Sequence, residues 1–221
     1  MQEHHIVVSR TARYFTLGPQ DAAARDVWFV LHGQAQLAEQ FIRHFEAIDD
    51  GRRLVVAPEA LSRSYAHSTP PAPGETPRVG ATWMTREDRE SEISDYVGYL
   101  DALYAAVFAR VPREDARVTV LGFSQGAATA SRWVALGTAT ADRLVCWGGA
   151  LAHDIALGDA GEGLRGAALT LVVGADDEYA TPAVVAAEEA RLTAHGVAYR
   201  TRRFVGGHRI DRDALIAEAA R

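Results

Sequence analysis

The stretch Val118-Thr119-Val120-Leu121-Gly122-Phe123-Ser124-Gln125-Gly126-Ala127-Ala128-Thr129-Ala130 decides how the rest of the chain is read. Its first half is apolar and β-branched, the composition of a strand buried on both faces. Its second half is alanine-rich, the composition of a helix. Between them stands Gly-x-Ser-x-Gly, so a serine occupies the corner where strand passes into helix. Such a corner holds the serine backbone in a strained conformation and presents its hydroxyl outward. Glycines at 122 and 126 fit the corner because neighbouring backbone packs too closely for a Cβ atom. The motif alone arises by chance in glycine-rich chains; its placement between a strand and a helix gives it weight.

Working outward, continuous apolar runs alternate with amphipathic ones. Val27-Trp28-Phe29-Val30-Leu31 is the first strong strand and leads into His32-Gly33-Gln34. A helix is predicted next, with Leu37, Phe41, Phe45 and Ile48 at spacings of three and four. Residues 54–57 form a short strand closed by Pro58-Glu59, and the alternation over residues 5–17 predicts one or two opening strands. A long helix is predicted over 86–110, with Ile93, Val97, Leu100, Tyr104 and Val107 on one stripe. Downstream, strands are predicted at 144–147, 169–173 and 197–204, and helices at about 182–195 and 211–220. Strands separated by helices define an α/β class: a mostly parallel central sheet with helices on both faces. No repeat or linker interrupts the pattern, so residues 1–221 are expected to form a single domain.

Residues 61–86 break the rhythm. Four prolines, Pro70, Pro71, Pro73 and Pro77, argue against regular structure from Ser62 to Pro77. The segment leaves from the carboxyl end of a strand, where sites in this architecture lie. It is therefore expected to cover or wall a pocket, with Tyr65, Trp83 and Met84 as substrate contacts. The plainer alternative is a surface insertion that Trp83 anchors to the body.

Composition narrows the classes of function. The net charge is −6 and no dense run of Lys or Arg occurs, which speaks against nucleic acid or an anionic membrane as partner. The single cysteine, Cys146, excludes an intrachain disulfide framework and reads as a buried, inert thiol. The first residues lack a basic segment leading into an apolar core, and no apolar run reaches membrane-spanning length. The chain is expected to be soluble and cytoplasmic.

A serine hydroxyl is a weak nucleophile; it needs a histidine to take its proton and a carboxylate to orient that histidine. In α/β-hydrolases these follow in the order Ser, Asp or Glu, His, each at the carboxyl end of a strand. Here Ser124 is followed by Asp176 and Asp177 after one predicted strand, and by His208 after the last. Spacing does not separate Asp176 from Asp177. His4, His5 and His44 read as surface residues, His195 ends a helix where a cation complements the dipole, and His67 lies in the loop ahead of the serine. His153 is the one rival base. Gly206 and Gly207 favour His208, because glycine lets the loop bring the ring over the serine. The oxyanion needs donors as well: the N–H of Gln125, just after the nucleophile, and one from the loop after an earlier strand, Gln34. Gly33 would allow the tight turn there, leaving His32 as a hydrogen-bonded core residue.

With these residues in place, the chain resembles the phospholipase/carboxylesterase family of serine α/β-hydrolases, relatives of the acyl-protein thioesterases. The resemblance rests on Leu31-His32-Gly33, Ala57-Pro58-Glu59, Gly122-Phe123-Ser124-Gln125-Gly126, Gly174-x-x-Asp177 and Gly207-His208. It implies Asp177 as the acid of a Ser124, Asp177, His208 triad. It also implies hydrolysis of small-molecule carboxylic esters through an acyl-enzyme, without metal or organic cofactor. Thioesters and lysophospholipids are the alternative substrates. A non-catalytic ligand-binding relative would be expected to lack a triad member, and none is lacking. A homodimer is compatible with the resemblance.

Overall fold

The computed structural model describes residues 1–65 and 76–221. Its larger sheet contains, in spatial order, β1 (Tyr14–Leu17), β3 (Arg53–Pro58), β2 (Asp26–Leu31), β6 (Arg117–Phe123), β7 (Arg143–Trp147), β8 (Ala168–Gly174) and β9 (Tyr199–Phe204). Strand β1 runs antiparallel to β3, and all other pairings are parallel. Only β1 forms within the opening stretch, while residues 1–11 are exposed.

The apolar runs are explained by the layers on either side. In β2, Val27, Phe29 and Leu31 enter one core, and Trp28 and Val30 enter the other. A strand covered on both faces has no position left for a solvent-facing polar residue. Helices α2 (Arg89–Phe108), α3 (Gln125–Leu136) and α4 (Pro182–Ala194) supply the first core through Leu100, Trp133 and Leu192. Helix α1 (Ala38–Phe41), the 3-10 helix Ile42–Ile48 and α5 (Arg212–Ala219) supply the second through Phe41, Phe45 and Leu215. Side-chain caps start the last two helices: Thr181 accepts from Val184 N–H and Asp211 from Ala214 N–H. Among the described residues no helix is long and apolar enough to cross a membrane.

Three details differ from the sequence expectation. The helix after His32 tightens into 3-10 form after one α turn, yet Phe41, Phe45 and Ile48 still reach the core; packing sets the winding there. On α2 the buried stripe is Ile93, Tyr96, Leu100, Leu103 and Val107, so Tyr96 and Leu103 replace Val97 and Tyr104. Tyr96 tolerates burial because Arg132 Nη1 donates to its hydroxyl at 3.3 Å. Finally, Ser62–Tyr65 is regular after all: it forms β4, antiparallel to β5 (Val79–Thr82), with Ser62 opposite Thr82. Proline bars strand pairing only where it stands, and β4 and β5 contain none. Pro70, Pro71, Pro73 and His67 lie outside the described residues, as does the middle of the expected pocket cover.

The amino ends of the parallel strands are closed by charge. Glu218 of α5, fully buried, accepts from Arg143 at 2.8 Å and Arg200 at 3.2 Å, and also pairs with Arg202. Beside it Arg53 binds Asp26 at 2.8 Å.

Candidate active site

At the opposite, carboxyl end of the sheet, Ser124 caps α3 with φ 54° and ψ −120°. That conformation costs about 1–3 kcal/mol for a residue with a side chain. It is enforced from both sides: Ser124 N–H donates to Trp147 O on β7 at 2.8 Å, and Ala127 N–H donates to Ser124 O at 2.9 Å. A Cβ atom on Gly122 would lie 2.0 Å from Gly126 O, and one on Gly126 would lie 2.3 Å from Leu31 O. The corner therefore closes only with glycine at both places.

The loop after β8 carries Asp177, buried, and the loop after β9 carries His208. His208 Nδ1 lies 2.8 Å from Asp177 Oδ2 and 3.1 Å from Oδ1. Asp177 Oδ1 also accepts the N–H groups of Tyr179 at 2.9 Å and Ala180 at 2.8 Å. Burial alone would push this carboxyl up, but the Ala180 amide, His208 and the Tyr179 amide together hold it below its ordinary value. Asp176 is exposed and takes no part; its N–H donates to Gly206 O, lacing the two loops together. Trp147 Nε1–H fixes the far side of the histidine loop by donating to Arg209 O at 2.9 Å. His153 is exposed.

Ser124 and the Asp177–His208 pair are neighbours through shared contacts. The His208 ring centroid is 4.8 Å from that of Phe123, the residue before the serine. A Cβ on Gly148 would lie 3.1 Å from His208 Cε1, and one on Gly149 would lie 2.6 Å from Ser124 O. Among the described residues Ser124 Oγ makes no hydrogen bond, so His208 is bonded to Asp177 but not to Ser124. Such links commonly tighten only when substrate binds.

The turn after β2 isolates a single amide. Gly33 N–H donates to Gln36 Oε1 at 2.8 Å, Ala35 N–H to Ala81 O at 2.9 Å, and Gln36 N–H to Gly33 O at 3.3 Å. Among the described residues the N–H groups of Gln34 and Gln125 donate to no protein acceptor. Glycine at 33 serves a purpose other than the one expected: the positive φ of this turn falls on Ala35 (60°), and Gly33 leaves room for its neighbours. A Cβ on Gly33 would instead lie 3.2 Å from Ser124 Cβ. His32 is buried and neutral, since burial lowers its pKa; Nδ1–H donates to Gly33 O at 2.7 Å, and Nε2 accepts from Ala60 N–H at 3.1 Å.

The proposed pocket residues separate. Trp83 is 2% exposed and donates Nε1–H to His32 O at 2.8 Å, so it anchors the hairpin rather than opening onto a cavity beside Ser124. Tyr65 is 69% exposed on β4 and, among the described residues, makes no hydrogen bond or ring contact to Ser124, Asp177 or His208. Met84 is half-buried, and its carbonyl accepts from Gln125 Nε2 at 2.8 Å. Three features were missed from sequence: the Gln36 cap, the side chain of Gln125, and the Tyr179 ring 4.7 Å from that of His208. Only Gln36 left a trace, as an amide three residues beyond Gly33. Cys146 is enclosed in the core, where burial pushes its thiol up. The group of potential metal ligands found among the described residues, Glu3, His5 and Asp88, is exposed and shares no residue with this site.

A mostly parallel sheet flanked by helices, with a serine at the strand–helix corner after β6 and an aspartate and histidine after β8 and β9, has the α/β-hydrolase fold. The chain matches no family model and no curated protein. Solved structures do share its architecture. A carboxylesterase from Mesorhizobium loti is 20% identical, with a TM-score of 0.68 over 95% of this chain and 94% of that one. Esterase PE8 is 20% identical, with a TM-score of 0.67 over 96% and 97%. Acyl-protein thioesterase 2 of Zea mays is 16% identical, with a TM-score of 0.68 over 95% and 97%.

Proposed function

We propose that the chain is a serine hydrolase that cleaves carboxylic esters of small or medium acyl chain through an acyl-enzyme. The observation that carries this reading is the 2.8 Å His208–Asp177 bond set beside Ser124 in its strained corner. His208 Nδ1–H donates to Asp177, which leaves Nε2 as the base. Ser124 Oγ gives its proton to Nε2 as it attacks the ester carbonyl. The resulting oxyanion accepts the N–H groups of Gln34 and Gln125, each such donor contributing roughly 10²–10³ in rate. Collapse breaks the bond to the alcohol oxygen, which takes the proton from His208 and leaves. Water then attacks the acyl-Ser124 ester by the same route, releasing the acid and restoring the serine.

The complete set of acid, base, nucleophile and donors favours turnover over a purely ligand-binding role. Thioesters fit the same site, and one structural neighbour is named a thioesterase. A panel of p-nitrophenyl esters of increasing acyl length, with matched thioesters, reads out the preference in kcat/KM. A fluorophosphonate probe should label Ser124. Absence of that label, or full esterase activity in Ser124→Ala, would overturn the mechanism.

A further inference from the structure

The two amides assigned to the oxyanion belong to different elements, the turn after β2 and the first residue of α3, and they must be held at one spacing. One short segment reaches both. Ala81, near the end of β5, accepts from Ala35 N–H at 2.9 Å and donates to Gln36 O at 3.0 Å, clasping the turn that presents Gln34. Directly after it, three bonds run to the side chain of Gln125. Its Oε1 accepts from Thr82 Oγ1 and from Trp83 N–H, both at 3.0 Å, and its Nε2 donates to Met84 O at 2.8 Å. The amide orientation is dictated by its partners, because a backbone N–H can only donate and a carbonyl can only accept. Trp83 adds a third tie through its indole N–H on His32 O.

This arrangement is more than a helix start requires. Glutamine is among the side chains that lose most freedom when fixed, yet here every polar atom is engaged on a segment more than 40 residues away in sequence. The segment fits only because Gly80 lacks a side chain: a Cβ there would lie 2.5 Å from Ala35 O. We infer that Ala81–Met84 is a splint across the oxyanion hole, with Gln125 as its positioning residue. Through it, the Gln125 side chain fixes the distance between its own backbone N–H and that of Gln34. The inference rests on the serine-hydrolase reading.

Gln125→Met keeps the size and the backbone amide and removes all three bonds. With the splint in place as inferred, kcat on p-nitrophenyl acetate falls roughly 10- to 100-fold while KM stays within about twofold, since a donor displaced by about 1 Å fails the transition state more than the ground state. Affinity for an arylboronic acid, which forms a tetrahedral anion on serine, falls in parallel, and the fluorophosphonate still labels Ser124. Thr82→Val removes one bond and should cost roughly 2- to 10-fold in the same two readouts. If Gln125→Met is not recovered folded by thermal melting, Thr82→Val decides the question alone. Unchanged kcat and boronate affinity in the folded variants overturn the splint, as does a rise in KM with kcat intact. Failure of the wild-type protein to label overturns the hydrolase reading and the splint with it, an outcome the labelled wild type separates from the first.

Discussion

Replacing Asp177 by asparagine tests the orientation of His208. Asp177 Oδ1 takes the amides of Tyr179 and Ala180 at 2.9 and 2.8 Å, while Oδ2 faces His208 Nδ1 at 2.8 Å. An asparagine can satisfy two N–H donors only with its carbonyl oxygen, because an NH₂ group accepts nothing. The NH₂ group is then turned toward His208 Nδ1 and demands an acceptor there. The imidazole is driven to the tautomer with its proton on Nε2, the nitrogen that has to receive the proton of Ser124. The expected loss in kcat/KM is about 10⁴-fold, which corresponds to about 5 kcal/mol of transition-state stabilisation. The fold should survive, since both turn bonds are kept, and a circular-dichroism melt checks this. Hydrolysis of p-nitrophenyl acetate near neutral pH is the assay. Asp176→Asn, at an exposed position, serves as the paired control and should stay within about twofold. A loss below about tenfold in Asp177→Asn, or a larger loss in Asp176→Asn, would refute the tautomer argument.

Two further outcomes concern stability. Glu218→Ala strands the buried Arg143 guanidinium, whereas Arg200 and Arg202 can turn toward water; breaking such a pair costs about 3–5 kcal/mol, which for a chain of this length lowers Tm by roughly 6–20 °C. A urea titration giving a loss below about 1 kcal/mol would show that solvent reaches Arg143. The second outcome follows from His32, whose burial holds it neutral in the folded chain while the unfolded chain takes up a proton below about pH 6.5. The unfolded state then binds more protons, so this contribution is present above about pH 6.5 and is lost as pH falls toward the lowered folded value. Tm should therefore drop on acidification from pH 7.5 to 5.5, and His32→Gln should flatten part of that slope; an unchanged slope would sink the assignment.

The features legible from sequence were those with a local physical signature. Buried parallel strands read as unbroken apolar runs, so β2, β6, β7 and β8 were found close to their true limits. The corner at Ser124 was legible because two backbones approach too closely for anything but glycine. What depended on long-range pairing was hidden. Nothing in Gly174-Ala175-Asp176-Asp177 says which carboxylate meets the loop amides; family resemblance separated them, and burial now does so in space. The β4–β5 hairpin was masked by prolines that lie beyond β4. Trp83 carried a mixed signal, since an aromatic in a polar stretch suits a pocket wall and an anchor equally. Its indole N–H bond to His32 O resolves the question.

Among the described residues, strand β9 ends the sheet without a neighbour on its outer side. A strand in that position offers a row of unsatisfied backbone groups to any passing chain, the usual starting point of aggregation. Its sequence, Tyr199-Arg200-Thr201-Arg202-Arg203-Phe204, carries three arginines. Arg200 and Arg202 reach inward to Glu218, and Arg203 lies 3.8 Å from Glu189 on the α4 side. A second copy adding itself here would set its own arginines against these, an opposition of like charges that disfavours pairing. The side chains that neutralise a buried glutamate thus also act as gatekeepers, letting the sheet end in water without seeding its own precipitation.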